Sequence, residues 1–352
     1  MPPTRRLRAL RLALIAALLF AGAAEAQRGG AARLGTKDES SESWDLVASF
    51  ATGHRIFARF SISNEGPGDR TGYALGQIVF PDGRVAPFQN GRLEGAWKLS
   101  DDRLRMQIGS SVLDLHGPAN HFEVDKNRLG VKVFLDFQPG PAVPLSWADA
   151  PDGIHHDLLV LGAEIKGSIW VRDVMGDVLP TPVTGHVSLT HTWMDRGEPD
   201  LVRWRVEPHL LASADGTLHA YLVSVVPVRG EPKSWMVVRR SNGGDWLETE
   251  ALTVVSEGEN PASKKGYPVP ARLAVNGDRV RGSIALGKRV VEHDPLEAAP
   301  RPFRWLLSFR TEPRQVWLDT ALDLEWTGEG APGAIRGSGL TSFYFINPQD
   351  ER

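Results

Sequence analysis

"TGHVSLTHTW", residues 184–193, decides how this chain is read. Its side chains alternate with a period of two, so it reads as a β-strand. Val187, Leu189, His191 and Trp193 share one face, and His186, Ser188, Thr190 and Thr192 share the other. The first face is apolar except for His191, which puts that ring on a buried or cavity-lining surface beside Trp193. An imidazole buried there needs a hydrogen-bond partner, because an unpaired one costs a few kcal/mol. Two readings stay open: a core histidine bonded to a neighbouring strand or loop, or a polar anchor in an apolar ligand cavity.

The same alternation recurs outward from this strand. It is seen in RIFARFSIS (55–63), RLGVKVFLDF (128–137), EIKGSIWVR (164–172), LHAYLVSVV (218–226), RVRGSIAL (279–286) and PFRWLLSFR (302–310). Asp82-Gly83, Asp215-Gly216 and Asn276-Gly277-Asp278 separate several runs and are hairpin signals, since these residues tolerate positive φ. No sustained helical pattern follows the first 26 residues. The fold class is therefore all-β, built of antiparallel barrels or sandwiches. MDRGEPD (194–200) interrupts the apolar pattern and divides the chain into units of 44–193 and 200–348. The Pro-rich QPGPAVPLSWADAPDGIHHD (138–157) reads as a loop or cap within the first unit, and SEGENPASKKGYPVP (256–270) as a second loop.

Residues 1–26 read as a secretory signal peptide. Arg5, Arg6, Arg8 and Arg11 precede a short apolar run, and Ala24-Glu25-Ala26 fits cleavage before Gln27. Residues 27–43 read as a flexible tether. Cleavage removes four Arg and one Glu, so the net charge moves from −3 to about −6. A mildly acidic chain argues against a nucleic-acid partner. With no cysteine, the chain forms no disulfide and must rely on its core.

On Gly185, Leu189, His191 and Trp193, read as GHVSLTHTW, the chain resembles the lipocalin-like family of AttH proteins, which includes hydroxyneurosporene synthase (the carotenoid hydratase) and the yeast survival factor. SWDLVASF (43–50), PLEAAPRPFRWLLSFR (295–310) and GSGLTSFYF (337–345) are similar to the family's style. The resemblance implies two tandem antiparallel lipocalin-like β-barrels over most of residues 44–348. It also implies an isoprenoid-like or other hydrophobic ligand. Where the family pattern has an acid before the histidine, this chain has Thr190, which cannot supply a proton as a carboxylic acid does. The expectation is thus ligand binding, with a hydratase, isomerase or cyclase as the alternative.

His191, Asp195 and Tyr221 are the candidate catalytic residues for that alternative. Val187, Leu189, His191, Trp193 and Trp204 are the candidate ligand contacts, with the interface between barrels as the preferred site because ligands favour such clefts. His155, His156 and Asp157 stand together in GIHHD, but adjacent strand residues face opposite sides and no zinc spacing occurs, so no metal is expected. His116 and His121 flank a Gly-Pro turn, His209 follows Pro208, and Asp323 and Glu325 in DLEW read as a solvent face. Eleven tryptophans serve first as barrel core. No nucleophile elbow or phosphate loop is present, and no cofactor is expected. The expected protein is a periplasmic or secreted monomer. Its partner is a hydrophobic small molecule, with transient contact to membrane or envelope components.

Overall fold

The structure, a computed structural model, describes residues 29–64, 69–126, 130–140, 144–172, 178–241, 246–298, 304–305, 308, 311–328 and 332–347. The segment read as a signal peptide lies outside them. The first unit contains β1 (Ser41–Phe50), β2 (Arg55–Ser63), β3 (Thr71–Val79), β4 (Val85–Arg92), β5 (Lys98–Leu99), β6 (Arg105–Ile108), β7 (Ser111–Asp114), β8 (Asn120–Lys126), β9 (Val131–Phe137), β10 (Leu145–Ser146), β11 (Ile154–Arg172) and β12 (Val178–Met194). A four-residue helix, α1 (Glu198–Leu201), leads to the second unit. This comprises β13 (Val202–Ser213), β14 (Leu218–Pro227), β15 (Lys233–Arg240), β16 (Trp246–Thr249), β17 (Leu252–Glu257), β18 (Arg272–Gly277), β19 (Val280–His293), β20 (Arg314–Trp326) and β21 (Gly333–Phe345).

Each unit is one antiparallel sheet. The first runs β4-β3-β2-β1-β12-β11-β9-β8-β7-β6-β5, and the second β16-β15-β14-β13-β21-β20-β19-β18-β17. One curls into a half-barrel and the other into a nearly closed barrel, so the fold is an all-β tandem of barrels. In the first, the sheet bends until Asn90 of β4 donates to Ser111 Oγ of β7 at 2.8 Å. Inside it, Trp44, Leu46, Phe60, Phe122, Leu135 and Leu189 pack as one core. Val206, Leu222, Met236, Leu273, Val316 and Phe343 belong to the core of the second.

The opening stretch is the C-terminal half of β12 and pairs with β1 from Gly185↔Phe50 to Trp193↔Glu42. Gly185 is required there: a Cβ would stand 2.0 Å from Ser49 O, so only glycine lets the two backbones approach. From Val187 to Thr192 both faces of β12 are buried. Val187, Leu189 and His191 point into the first barrel, while Ser188, Thr190 and Thr192 are covered on the other side. The covering element is the second barrel, whose β13 packs against β1, β11 and β12.

Three local expectations are corrected. GIHHD is not a loop, because the proline-rich stretch ends at Pro151 and β11 begins at Ile154, carrying His155, His156 and Asp157 into the sheet. Residues 29–40 are not a free tether. Ala32 is buried in the first core, Ala32 N donates to Arg103 O, and Trp44 Nε1 donates to Gly30 O at 2.9 Å. In PFRWLLSFR, the described residues Arg304, Trp305 and Ser308 are helical, not extended. Pro300 and Pro302 lack the N–H groups a ladder needs.

Candidate functional site

The two barrels meet through the outer faces of their sheets, and register explains how that interface is laid out. On the first barrel, successive rows across β12, β1 and β2 are Thr192–Ser43–Ser61, Thr190–Asp45–Arg59, Ser188–Val47–Phe57 and His186–Ser49–Arg55. On the second, rows across β13, β21 and β20 are Arg205–Tyr344–Gln315, Glu207–Ser342–Trp317 and His209–Leu340–Asp319. The interface therefore grades from hydroxyls, through charges, to a small apolar cluster of Val47, Phe57, Val79, Leu210, Trp317 and Leu340. Phe57 and Trp317 stack across it at 4.1 Å.

Beyond that cluster the sheets part and leave a cleft of about 1060 Å³. Leu210 and Leu340 line it and are buried, so they form its floor, while Phe50, Phe137 and Ile165 border it but belong to the core of the first barrel. Glu164, Lys166, Thr184 and His186 line it and are exposed, so they form its rim. Arg55 of the first barrel and Asp319 of the second meet at 2.6 Å along the same cleft. His186 and His219 approach from opposite barrels, their rings 5.3 Å apart. Burial, with His186 and Arg239 adding to it, holds His219 down at about 4, so this ring is neutral near pH 7. An apolar floor under a mixed polar rim suits a molecule with a hydrophobic body and a polar end.

Leu210 sits on that floor with φ +51, in the left-handed region that a branched residue adopts at a cost of about 1–2 kcal/mol. The cause is a bulge: β13 slips register against β14 between Val206 and Leu211, and against β21 between His209 and Ala212. The slip turns Leu210 toward the cleft while His209 stays buried behind it.

Behind the floor lies a buried polar relay. Thr192 Oγ1 and His156 Nδ1 are 2.8 Å apart, His156 Nε2 and Tyr221 OH 2.8 Å, and Tyr221 OH and Glu207 Oε1 3.4 Å. One consistent direction has Thr192 donating to His156, His156 to Tyr221, and Tyr221 to the Glu207 carboxylate. Burial holds His156 at about 4, opposed in part by Glu207. For Glu207 burial acts upward, but Arg205 and then His209 outweigh it and keep the carboxyl well below its ordinary range. Arg205 also reaches Asp45 at 3.5 Å and Glu198 at 3.6 Å, and Asp45 holds Arg59 at 2.6 Å.

The residues singled out in the sequence do not converge. His191 is fully buried inside the first barrel, where it stacks on Trp44 at 4.4 Å and donates Nε2–H to Glu42 Oε1 at 2.7 Å. Glu42 also accepts Arg33 N at 2.7 Å and Leu34 N at 3.1 Å, so the pair clamps the N-terminal segment. Val187 and Leu189 are core residues of the same barrel. Trp193 is half-buried, stacked on His155 at 5.1 Å beneath the Arg33 guanidinium. Trp204 stacks on Phe343 against the second core. Asp195 is exposed and paired with Lys37 at 2.8 Å. Tyr221 alone of the catalytic candidates lies between the barrels, in the relay. The acid sought beside His191 comes from other strands: Glu42 on β1, and Asp157 on β11, which pairs in register with His191 and accepts from Ser146 at 2.6 Å. His156, Glu207, Arg205, His219 and the bulge at Leu210 were not singled out as a group. Among the described residues, no group of three or more His, Asp or Glu could hold a metal.

The two tandem barrels, with a cleft at their interface and a polar relay behind its floor, make up a lipocalin-like two-barrel fold. Solved structures place it more closely. The chain is similar to an assigned AttH from Nitrosomonas europaea, at 13% identity and a TM-score of 0.60 over 90% of this chain and 97% of that one. It is similar to kievitone hydratase from Nectria haematococca, at 10% identity and a TM-score of 0.56 over 92% and 91%. It is also similar to CghA in complex with Sch210972, at 10% identity and a TM-score of 0.54 over 88% and 89%. At these identities the likeness is one of fold, and the fold is the one implied by GHVSLTHTW. No protein-family model matches the chain, and no curated protein matches it in sequence.

Proposed function

We propose that this chain is an exported carrier that holds an apolar or amphipathic molecule, such as a lipid, isoprenoid or pigment, in the cleft between its barrels. The cleft itself carries this reading: about 1060 Å³, with Leu210 and Leu340 at its floor and a charged rim. Each methylene buried there contributes about 0.8 kcal/mol, so ten of them offset the cost of association without any chemistry. The neighbouring hydratase and the CghA complex, both with this fold, support a hydrophobic small molecule as the occupant. The basic and apolar N-terminal residues support export to the periplasm or beyond.

A second reading has one specific observation in its favour. The Thr192–His156–Tyr221–Glu207 relay could move a proton, as a hydro-lyase or isomerase requires. None of its four residues lines the cleft, so a substrate there would have to reach past Leu210 and past His209, which packs on Tyr221 at 5.4 Å.

Native mass spectrometry of the protein purified gently from its own envelope tests the carrier reading. A stoichiometric hydrophobic molecule should be present, and its binding should be weakened or lost in Ala212→Trp, which places an indole ring in the cleft. A protein that is empty and does not quench or shift N-phenylnaphthylamine fluorescence would overturn it. Conversion of the extracted molecule on incubation, lost in Tyr221→Phe, would establish the second reading instead.

A further inference from the structure

The interface has a second opening, at the end away from the cleft. Its walls follow from register. On the first barrel, Thr192, Ser43, Ser61 and Tyr73 form one row, with Met194, Ser41, Ser63 and Thr71 outside it and Thr190, Asp45, Arg59 and Leu75 inside it. On the second, Tyr344, Gln315 and His293 face them, and the turn at Pro295 and Leu296 closes the side. The pocket holds about 180 Å³, roughly six liquid-water volumes and so one small molecule.

Several of its polar side chains are uncommitted. The side chains of Ser41, Ser43, Ser61 and Gln315 line it, and none makes a hydrogen bond within the described residues. His293 lines it with Nδ1 buried and unpaired. Burial, with Arg59 and Arg314 adding to it, holds that ring at about 4 and therefore neutral near pH 7.

The charges at its inner end are, by contrast, committed to one another. Asp45 takes Arg59 through Nε at 2.6 Å and through the terminal nitrogen at 2.9 Å, while the guanidinium lies over Tyr344 at 5.1 Å. Arg59 and Arg205 face Asp45, Glu198 and Glu207, so carboxylates are in excess and an anion is repelled. Among the described residues a cation finds no cluster of three ligands. Serine hydroxyls, an amide and a neutral imidazole both donate and accept, which is what alcohol groups offer in return. Tyr73, Tyr344, Leu75 and Met194 supply apolar surface for a C–H face.

We propose that this pocket binds a neutral polyhydroxylated group of monosaccharide size, either a free sugar or the glycosyl head of a lipid. The site is separate from the cleft and does not rest on the carrier reading.

Saturation-transfer NMR and calorimetry with glucose, galactose, N-acetylglucosamine and octyl glucoside on the full mature protein test it. At least one should bind, and Ser43→Ala combined with Ser61→Ala should weaken it by about tenfold, the loss of one or two hydrogen bonds. Ala212→Trp, in the other opening, should leave binding unchanged. Octyl glucoside no tighter than the free sugar assigns the free sugar; a much tighter octyl glucoside, still weakened by the serine changes, assigns the headgroup. Should the double variant fail to fold, Gln315→Ala must show the weakening. The proposal is overturned if neither sugars nor octyl glucoside bind. It is equally overturned if a folded variant binds them as well as the wild type, or if inorganic phosphate displaces them.

Discussion

Glu42→Ala should release the N-terminal segment and cost about 2–5 kcal/mol of stability while leaving the cleft intact. Glu42 accepts Arg33 N, Leu34 N and His191 Nε2–H. On release, the two backbone N–H groups turn to water, so most of their contribution is recovered. His191 is fully buried and is left unpaired, which costs about 1–3 kcal/mol. Loosening Ala32 and Leu34 from the first core removes apolar burial worth about another 1–2 kcal/mol. Trp44 would lose its bond to Gly30 O. Urea unfolding followed by tryptophan fluorescence gives the stability, and amide exchange at Arg33 and Leu34 reports the release. Glu42→Gln keeps an acceptor and should recover about half of the loss. A change below about 1 kcal/mol with unaltered exchange would refute the clamp. Loss of hydrophobic ligand with stability intact would move the functional site into the first barrel, to His191.

Two further expectations concern the buried interface. Burial holds His156, His219 and His293 at about 4, against an ordinary value of 6.5. Between those values the unfolded chain binds protons that the native state excludes, so stability should be flat above about pH 6.5 and fall steadily toward pH 4. Glu207, held low by Arg205 and His209 against burial, adds its own loss only below its ordinary value of 4.5. Equal urea midpoints at pH 7.5 and 4.5 would contradict this. Tyr221→Phe leaves His156 Nε2 without its partner at 2.8 Å and should destabilise by about 1–3 kcal/mol in the same assay; an unchanged midpoint would mean the relay contributes nothing to the interface.

Strand identity was legible because it is local. RIFARFSIS is β2 residue for residue, and LHAYLVSVV lies within β14. The alternation of apolar and polar side chains is set by backbone geometry alone. The same logic assigned Asp323 and Glu325 to a solvent face, where they pair with Arg336 and Arg281 at 3.0 Å. It also put His191 on a buried face and required a partner for it. It could not name that partner, because Glu42 is 149 residues away and arrives only through the β1–β12 register. Nor could it see that Ser188, Thr190 and Thr192, polar and alternating as a solvent face should be, are covered by a second barrel.

The all-β class, the hairpin signals and the tandem-barrel resemblance in GHVSLTHTW could be read from the residues alone, since each rests on a few adjacent positions. The cleft, the relay of His156, Tyr221 and Glu207, and the serine-lined pocket exist only once the two sheets have docked. Each is assembled from β1, β11 or β12 on one side and from β13, β14 or β20 on the other. Local alternation says which way a side chain points. What it points at depends on register between distant strands and on the docking of one sheet face against another.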